Sequence, residues 1–67
     1  MSLVPAKMMK AVFSYRAANE DEISFDEGTL LTFLETVEDG WARGKLQNGK
    51  MGLFPTNFVE VSILKIR

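Results

Sequence analysis

The chain has 67 residues, 46% of them hydrophobic, with eight Lys and Arg against nine Asp and Glu for a net charge of −1. That is material for one small domain, near the size at which a single core becomes marginal. With no Cys and no His, it can form neither disulfides nor Cys/His zinc sites, haem ligation by those residues or Ser-His and Cys-His nucleophile pairs, and so short a chain does not easily wall off a dry cavity around a carboxylate pair.

The apolar residues come in short clusters bounded by turn signals, the spacing of strands rather than helices. Met9, Ala11, Phe13 and Tyr15 alternate with Lys10, Val12 and Ser14, which predicts a half-buried strand. A polar stretch runs from Arg16 to Glu22, and Ile23 and Phe25 then alternate as a second extended piece. Asp26-Glu27-Gly28-Thr29 reads as a turn, with Gly28 free to take positive φ. Leu30 to Val37 carries the strongest strand signal. Glu38-Asp39-Gly40 is another turn, and Trp41 to Leu46 another strand. Asn48-Gly49 suits a type I′ hairpin turn with both residues at positive φ, and Lys50 to Phe54 returns antiparallel. Pro55 cannot donate to a ladder, so it ends that strand or sits at an edge. A 3₁₀ turn is expected over Thr56 to Phe58, and Val59, Val61 and Ile63 alternate into a last strand. The sum is five strands with a long excursion between the first and second, an all-β, small antiparallel barrel that leaves no exposed edges. The glycines at 28, 40, 44, 49 and 52 leave no room for a long helix after residue 28. Gly44, at the parity of Ala42 and Leu46, marks a close backbone approach or a bend.

No apolar run approaches the ~18 residues of a membrane span, so no membrane insertion is expected. Met1 to Val4 is too short for a signal peptide. The pattern begins near Lys7, so residues 1–7 read as an N-terminal tail, 8–63 as the domain and 64–67 as a C-terminal tail. The expectation is a monomeric domain cut from a longer protein.

Glu20, Asp21, Glu22, Asp26, Glu27, Glu35, Glu38 and Asp39 crowd the middle of the chain, with no Lys or Arg between Arg16 and Arg43. Such an acidic stretch argues against a nucleic-acid partner, which needs a basic face. It suits a partner carrying Arg or Lys, or serves as a solvated surface. Tyr15 and Trp41 are the only Tyr and Trp. Trp41 follows a Gly turn at the mouth of a strand, a poor place for a core residue. Phe13 and Tyr15 lie beside a polar loop, and Phe58 follows Pro55 in an irregular turn. Aromatics so placed are candidates for a surface groove, whereas Phe25, Phe33 and Phe54 read as core.

These residues carry a resemblance. Ala11-Val12-Phe13-Ser14-Tyr15 resembles the Ala-Leu-Tyr-Asp-Tyr motif of SH3 domains. Glu20-Asp21-Glu22-Ile23-Ser24-Phe25 resembles that family's acidic loop, Glu27-Gly28 its diverging turn, and Gly40-Trp41 the Trp after its second acidic loop. Gly52-Leu53-Phe54-Pro55-Thr56-Asn57-Phe58-Val59 is similar to its Gly-x-x-Pro-Ser/Thr-Asn-Tyr-Val signature. The match runs in order from about Met9 to Val61.

The resemblance implies a five-stranded SH3 barrel and a non-catalytic module without cofactor or metal. Phe13, Tyr15, Trp41, Pro55 and Phe58 would wall a shallow groove for x-Pro pairs of a proline-rich polyproline II peptide, whose stiffness limits the entropy lost on docking. The Trp41 indole and the Asn57 amide would donate to ligand carbonyls. Glu20, Asp21 and Glu22, with Glu38 and Asp39 opposite, would receive a flanking Arg or Lys, Glu22 matching the family's principal acidic position. Ser14 stands where Asp is usual, and Ala42 where a second Trp is common, off the groove. Phe13 and Phe58 replace Tyr and remove two phenol groups. SH3 domains with Phe at the position of Phe58 resemble ubiquitin binders, so ubiquitin is an alternative partner, and a methyl-lysine cage of Tyr15, Trp41 and Phe58 is another. The resemblance also implies a cytoplasmic adaptor or scaffold of signalling or endocytosis, at cytoskeletal or endocytic sites.

Overall fold

The computed structural model describes residues 7–62. Ile63 and most of both expected tails lie outside the described residues.

Five strands form in the expected order: β1 (Met8–Ala11), β2 (Leu30–Glu38), β3 (Trp41–Leu46), β4 (Met51–Pro55) and β5 (Val59–Ser62), with a 3₁₀ turn at Thr56–Phe58. They make one sheet in the order β4-β3-β2-β1-β5, and every neighbouring pair is antiparallel. The long excursion between β1 and β2 closes it into a barrel. Its segment at Glu22 bridges Leu53 of β4: the Leu53 N–H donates to Asp21 O (2.8 Å), and the Ile23 N–H donates to Leu53 O (3.0 Å). An edge that would otherwise be open is thereby covered.

Each element contributes to one core. Met9 and Ala11 come from β1, Leu31 from β2, Ala42 from β3, Phe54 from β4 and Val59 from β5, and Ile23 and Phe25 come from the excursion. Phe54, Ile23 and Leu31 are fully buried. Phe33 packs against this cluster, as expected, with the Lys7 ammonium 4.8 Å from its ring centre.

Two local readings are corrected. The first strand does not run on to Tyr15; it ends at Ala11. There the chain changes partners: the Ala11 carbonyl accepts from Gly28 N–H, and Val12 N–H donates to Phe58 O, both at 2.8 Å. Tyr15 retains only an isolated bridge to Phe25. The β3–β4 turn is not type I′, because Gly49 alone has positive φ (94°). The Gly49 N–H donates to Leu46 O (2.9 Å), and the Asn48 side chain accepts from Lys50 N–H (2.9 Å). This is a three-residue loop with glycine in the left-handed position.

At Gly44 the structure shows close approach. A Cβ there would lie 2.6 Å from Phe54 Cε2 and 2.9 Å from the Thr32 carbonyl oxygen. Phe54 is sealed in the core and the carbonyl belongs to the β2 backbone, so neither can retreat. Gly44→Ala is therefore expected to destabilise the domain by about 2 kcal/mol through overpacking. Urea denaturation measures this, and an unchanged midpoint would refute it.

Candidate functional site

The excursion folds as an irregular hairpin lying beside the barrel. Tyr15 and Phe25 exchange both backbone hydrogen bonds (2.8 and 2.9 Å). Their rings meet at a tilt of 39°, with centres 6.0 Å apart, Phe25 in the core and Tyr15 half-buried above it. On the outer side the Arg16 guanidinium donates to the Tyr15 and Phe25 carbonyls (3.2 Å each) and to Asp26 (2.8 Å). The Ser14 and Ser24 hydroxyls accept backbone N–H groups from Glu27 (3.0 Å) and Ala17 (2.8 Å). Small hydroxyl residues thus stitch a loop that has no continuous ladder.

At the loop's tip Glu22 is buried, only 7% exposed. Its carboxylate accepts from the Tyr15 hydroxyl (2.6 Å), the Ala18 N–H (2.8 Å) and the Asn19 side-chain amide (2.9 Å). The bond from Tyr15 is the leading reason its carboxyl sits below the usual range; the Ala18 and Asn19 bonds add to it and desolvation opposes. The same bond pushes the Tyr15 phenol up, helped by burial and by the negative charge of Glu22. Two of these bonds fall on one carboxylate oxygen and one on the other, so Glu22 is tied into the loop while still lining the cleft beside Trp41. It is a structural pin.

Held this way, Tyr15 becomes the hub of the exposed aromatic residues. Its ring centre is 5.2 Å from Phe58 and 6.4 Å from Trp41, both edge-on, and Phe58 in turn meets Phe13 at 6.0 Å. Phe13, Phe58, Tyr15 and Trp41 therefore form one continuous row. Phe13 is 60% exposed, Trp41 and Phe58 are half-buried, and Asn57 is exposed. Pro55 is buried, lies directly across the ladder from Trp41 and leads into the 3₁₀ turn. The Thr56 N–H donates to Gly40 O (2.9 Å), which ties that turn to the loop before Trp41.

Beside Trp41 opens a cleft of about 450 Å³ lined by Asn19, Asp21, Glu22, Val37, Glu38, Trp41 and Leu53. Of the expected carboxylates, Asp21, Glu22 and Glu38 reach it. Glu20 and Asp39 stand exposed on the neighbouring turns. Asn19, Val37 and Leu53 were not expected as site residues. The register between β2 and β3 shifts twice, between Phe33 and Glu35 and again between Thr36 and Glu38, so Val37 bulges out of the ladder toward the cleft.

The Glu22 pin predicts an acid-labile fold. A carboxyl lowered on folding contributes stability that is complete above its unfolded value of about 4.3 and is lost as pH falls through the folded value. For Tyr15 the sign is reversed: its contribution is lost as pH rises beyond about 10. Glu22→Gln should lower stability at neutral pH and flatten the acid limb of a stability–pH profile. A mutant limb as steep as the wild type's would show that other carboxylates govern acid unfolding.

The comparisons with known proteins agree with this architecture. A family model described as "Variant SH3 domain" matches residues 11–60. The chain is similar to human "SH3 domain-containing protein 19", at 43% identity over 61 residues covering 90% of this chain and 8% of that protein. It is also similar to mouse "Src substrate cortactin", at 49% identity over 51 residues covering 76% and 9%. It thus spans under a tenth of these relatives' length. Among solved structures, the C-terminal SH3 domain of myosin IB from Entamoeba histolytica, bound to the EhFP10(GEF) peptide, superposes with a TM-score of 0.83 at 38% identity, covering 91% of this chain and 100% of that one. The SH3 domain of yeast NBP2 shares the fold, with a TM-score of 0.82 at 24% identity and coverage of 85% and 98%. A barrel of this topology, matched through most of its length by that family's sequence pattern, belongs to the SH3 domains, non-catalytic modules of protein–protein interaction.

Proposed function

We propose that the chain binds proline-rich segments of the PxxP type, presented as polyproline II helices with a flanking Arg or Lys. The observation that carries this reading is the unbroken row Phe13–Phe58–Tyr15–Trp41 ending at an acidic cleft. Proline rings would lie between the aromatic ridges, and the basic side chain would enter the cleft. Its aliphatic stem would rest on Val37, Leu53 and Trp41, and its charge would face Asp21 and Glu38. Glu22 adds negative charge from beneath, and Glu20 and Asp39 act at longer range. The Tyr15 hydroxyl already donates to Glu22, so toward a ligand it offers only acceptor capacity. Among the described residues neither the Trp41 indole nor the Asn57 amide donates internally, so those two groups would meet ligand carbonyls. The groove is shallow, and affinity is expected on the order of micromolar. Such a module would work in a cytoplasmic scaffold, at cytoskeletal or endocytic sites.

A second reading, ubiquitin binding on the same face, is favoured by the exposure of Phe13 beside Phe58. Together they make an apolar end without hydroxyls, suited to a hydrophobic patch. Titration of ubiquitin against the wild type and Phe58→Tyr decides it: weaker binding by the variant supports the reading, and no response from either removes it.

Two outcomes test the main reading. Trp41→Ala should weaken an Arg-containing PxxP peptide by at least ~30-fold while the circular dichroism of the barrel is retained, the loss typical of a central aromatic anchor. If the wild type shows no amide shifts near Tyr15, Trp41 and Phe58 on peptide addition, the reading fails. Asp21→Asn with Glu38→Gln should weaken the same peptide and reduce the dependence of binding on salt. Unaltered affinity would mean these carboxylates are only solvated surface.

A further inference from the structure

We propose that Ser24 is a phosphoacceptor for an acid-directed serine kinase, and that Arg16 and the Ala17 N–H form a built receiver for its phosphate. The argument begins with the register of the loop. Tyr15 and Phe25 are a hydrogen-bonded antiparallel pair whose rings pack against each other on the groove side of the loop. Arg16 and Ser24 flank this isolated bridge on the neighbouring positions of the two segments. Both residues are exposed. The Ser24 Oγ already accepts the Ala17 N–H at 2.8 Å. The Arg16 guanidinium is steadied by two carbonyls at 3.2 Å and paired with Asp26 at 2.8 Å. The guanidinium rests on the carbonyl of Phe25, the residue after Ser24, and the Ala17 N–H sits on Ser24 Oγ, so both donors lie in the segment a phosphoryl group on Ser24 would enter, and charge-assisted bonds to such oxygens are among the stronger hydrogen bonds.

The flanking sequence supplies the recognition. The exposed Glu20 and Asp21 precede Ser24, and the exposed Asp26 and Glu27 follow two and three residues after it. A kinase whose substrate cleft is basic would select such a hydroxyl. Other hydroxyls carry one feature without the other. Thr36 is followed by Glu38 and Asp39, but it sits in the β2–β3 ladder opposite Ala42, and the neighbouring Arg43 is paired with Glu35. Ser14 bonds the Glu27 N–H on the Asp26–Glu27 side of the loop and is followed by Arg16 and Ala17 instead of acids. Only at Ser24 do an acidic approach and a waiting cation coincide among these three.

In the reaction the Ser24 Oγ attacks the γ-phosphorus of a nucleoside triphosphate. Its proton passes to the kinase's base, and the bond to the β-phosphate oxygen breaks to release the diphosphate. The new group, with a charge of about −2, takes Arg16 from Asp26 and latches the base of the loop. The latch lies on the outer face, behind the aromatic row.

The test uses the full chain with magnesium, ATP and an acid-directed serine/threonine kinase, with sites located by tandem mass spectrometry. One phosphoryl group at Ser24 is expected, lost in Ser24→Ala and retained in Thr36→Ala. Titration followed by phosphorus NMR should then place the second phosphate pKa below its ordinary value of about 6. Arg16→Gln should restore that ordinary value, and Arg16→Lys should keep part of the shift. No modification at Ser24, modification at Thr36 instead, or the same phosphate pKa in wild type and Arg16→Gln overturns the proposal.

Discussion

Glu22 is the point on which the half of the molecule bearing the aromatic row turns. A carboxylate taken out of water is tolerable only when its oxygens are bonded, and here a phenol, a backbone N–H and a side-chain amide all converge on it. Burial and hydrogen bonding pull its proton affinity in opposite directions, and the hydrogen bonds win. Because one donor is Tyr15 and the others are Ala18 and Asn19, a single group sets the orientation of the central ring and the height of the loop tip. Tyr15 in turn touches Phe25 below it, Phe58 on one side and Trp41 on the other. The groove's middle ring is therefore positioned by a polar bond as well as by packing.

The barrel beneath has little to spare. Deleting a fully buried Phe such as Phe54 would cost about 3–5 kcal/mol, on the order of everything a core this small supplies. Close packing at Gly44 and Gly52 follows from the same economy. A Cβ on Gly52 would meet Ile23 at 2.7 Å, so β4 can lie tight against the excursion only with glycine there. The exposed ion pairs Arg16–Asp26 and Arg43–Glu35 add at most about 1 kcal/mol each. Their role is to orient the loop and the bulged end of β2, while the acidic side chains nearest Trp41 stay unpaired with Lys or Arg among the described residues.

Much of this was legible in the chain. The run from Leu30 to Leu46 showed its two strands because β-branched and aromatic residues sit between glycine turns. Phe25 announced itself as core by its alternation with Ile23. The ring row was readable because Tyr15, Trp41 and Phe58 fall where a core residue has no reason to be. Alternation reports which face a side chain takes, not which backbone its strand bonds to, and so the end of β1 was hidden: the pattern continues through Tyr15 while the partner changes at Ala11. Asn48 misled because its side chain, by capping Lys50, stabilises a turn other than the one its dipeptide favours. Nothing in Glu20-Asp21-Glu22 marks the third carboxylate as the buried one. That depends on where a distant phenol and the loop's own N–H groups arrive. The bulge between Thr36 and Glu38 that puts Val37 out of the ladder is likewise a product of strand pairing, invisible in a run of good strand formers.

The aromatic row and the acidic cleft rest on different supports, and this bears on how recognition is divided. Trp41, Pro55 and Phe58 are held by the β3–β4 ladder and by the Thr56–Gly40 bond, all within the rigid barrel. One wall of the cleft is the loop tip from Asn19 to Glu22 and the other is the β2–β3 turn, so its width follows the loop. Tyr15 belongs to both, as the ring between Phe58 and Trp41 and as the donor to Glu22. A ligand pressing on the rings alone would meet a fixed surface. One that also reaches into the cleft couples to the loop through a single phenol–carboxylate bond. That bond joins the central ring to the cleft wall, so a change at the Glu22 carboxylate would be felt by both.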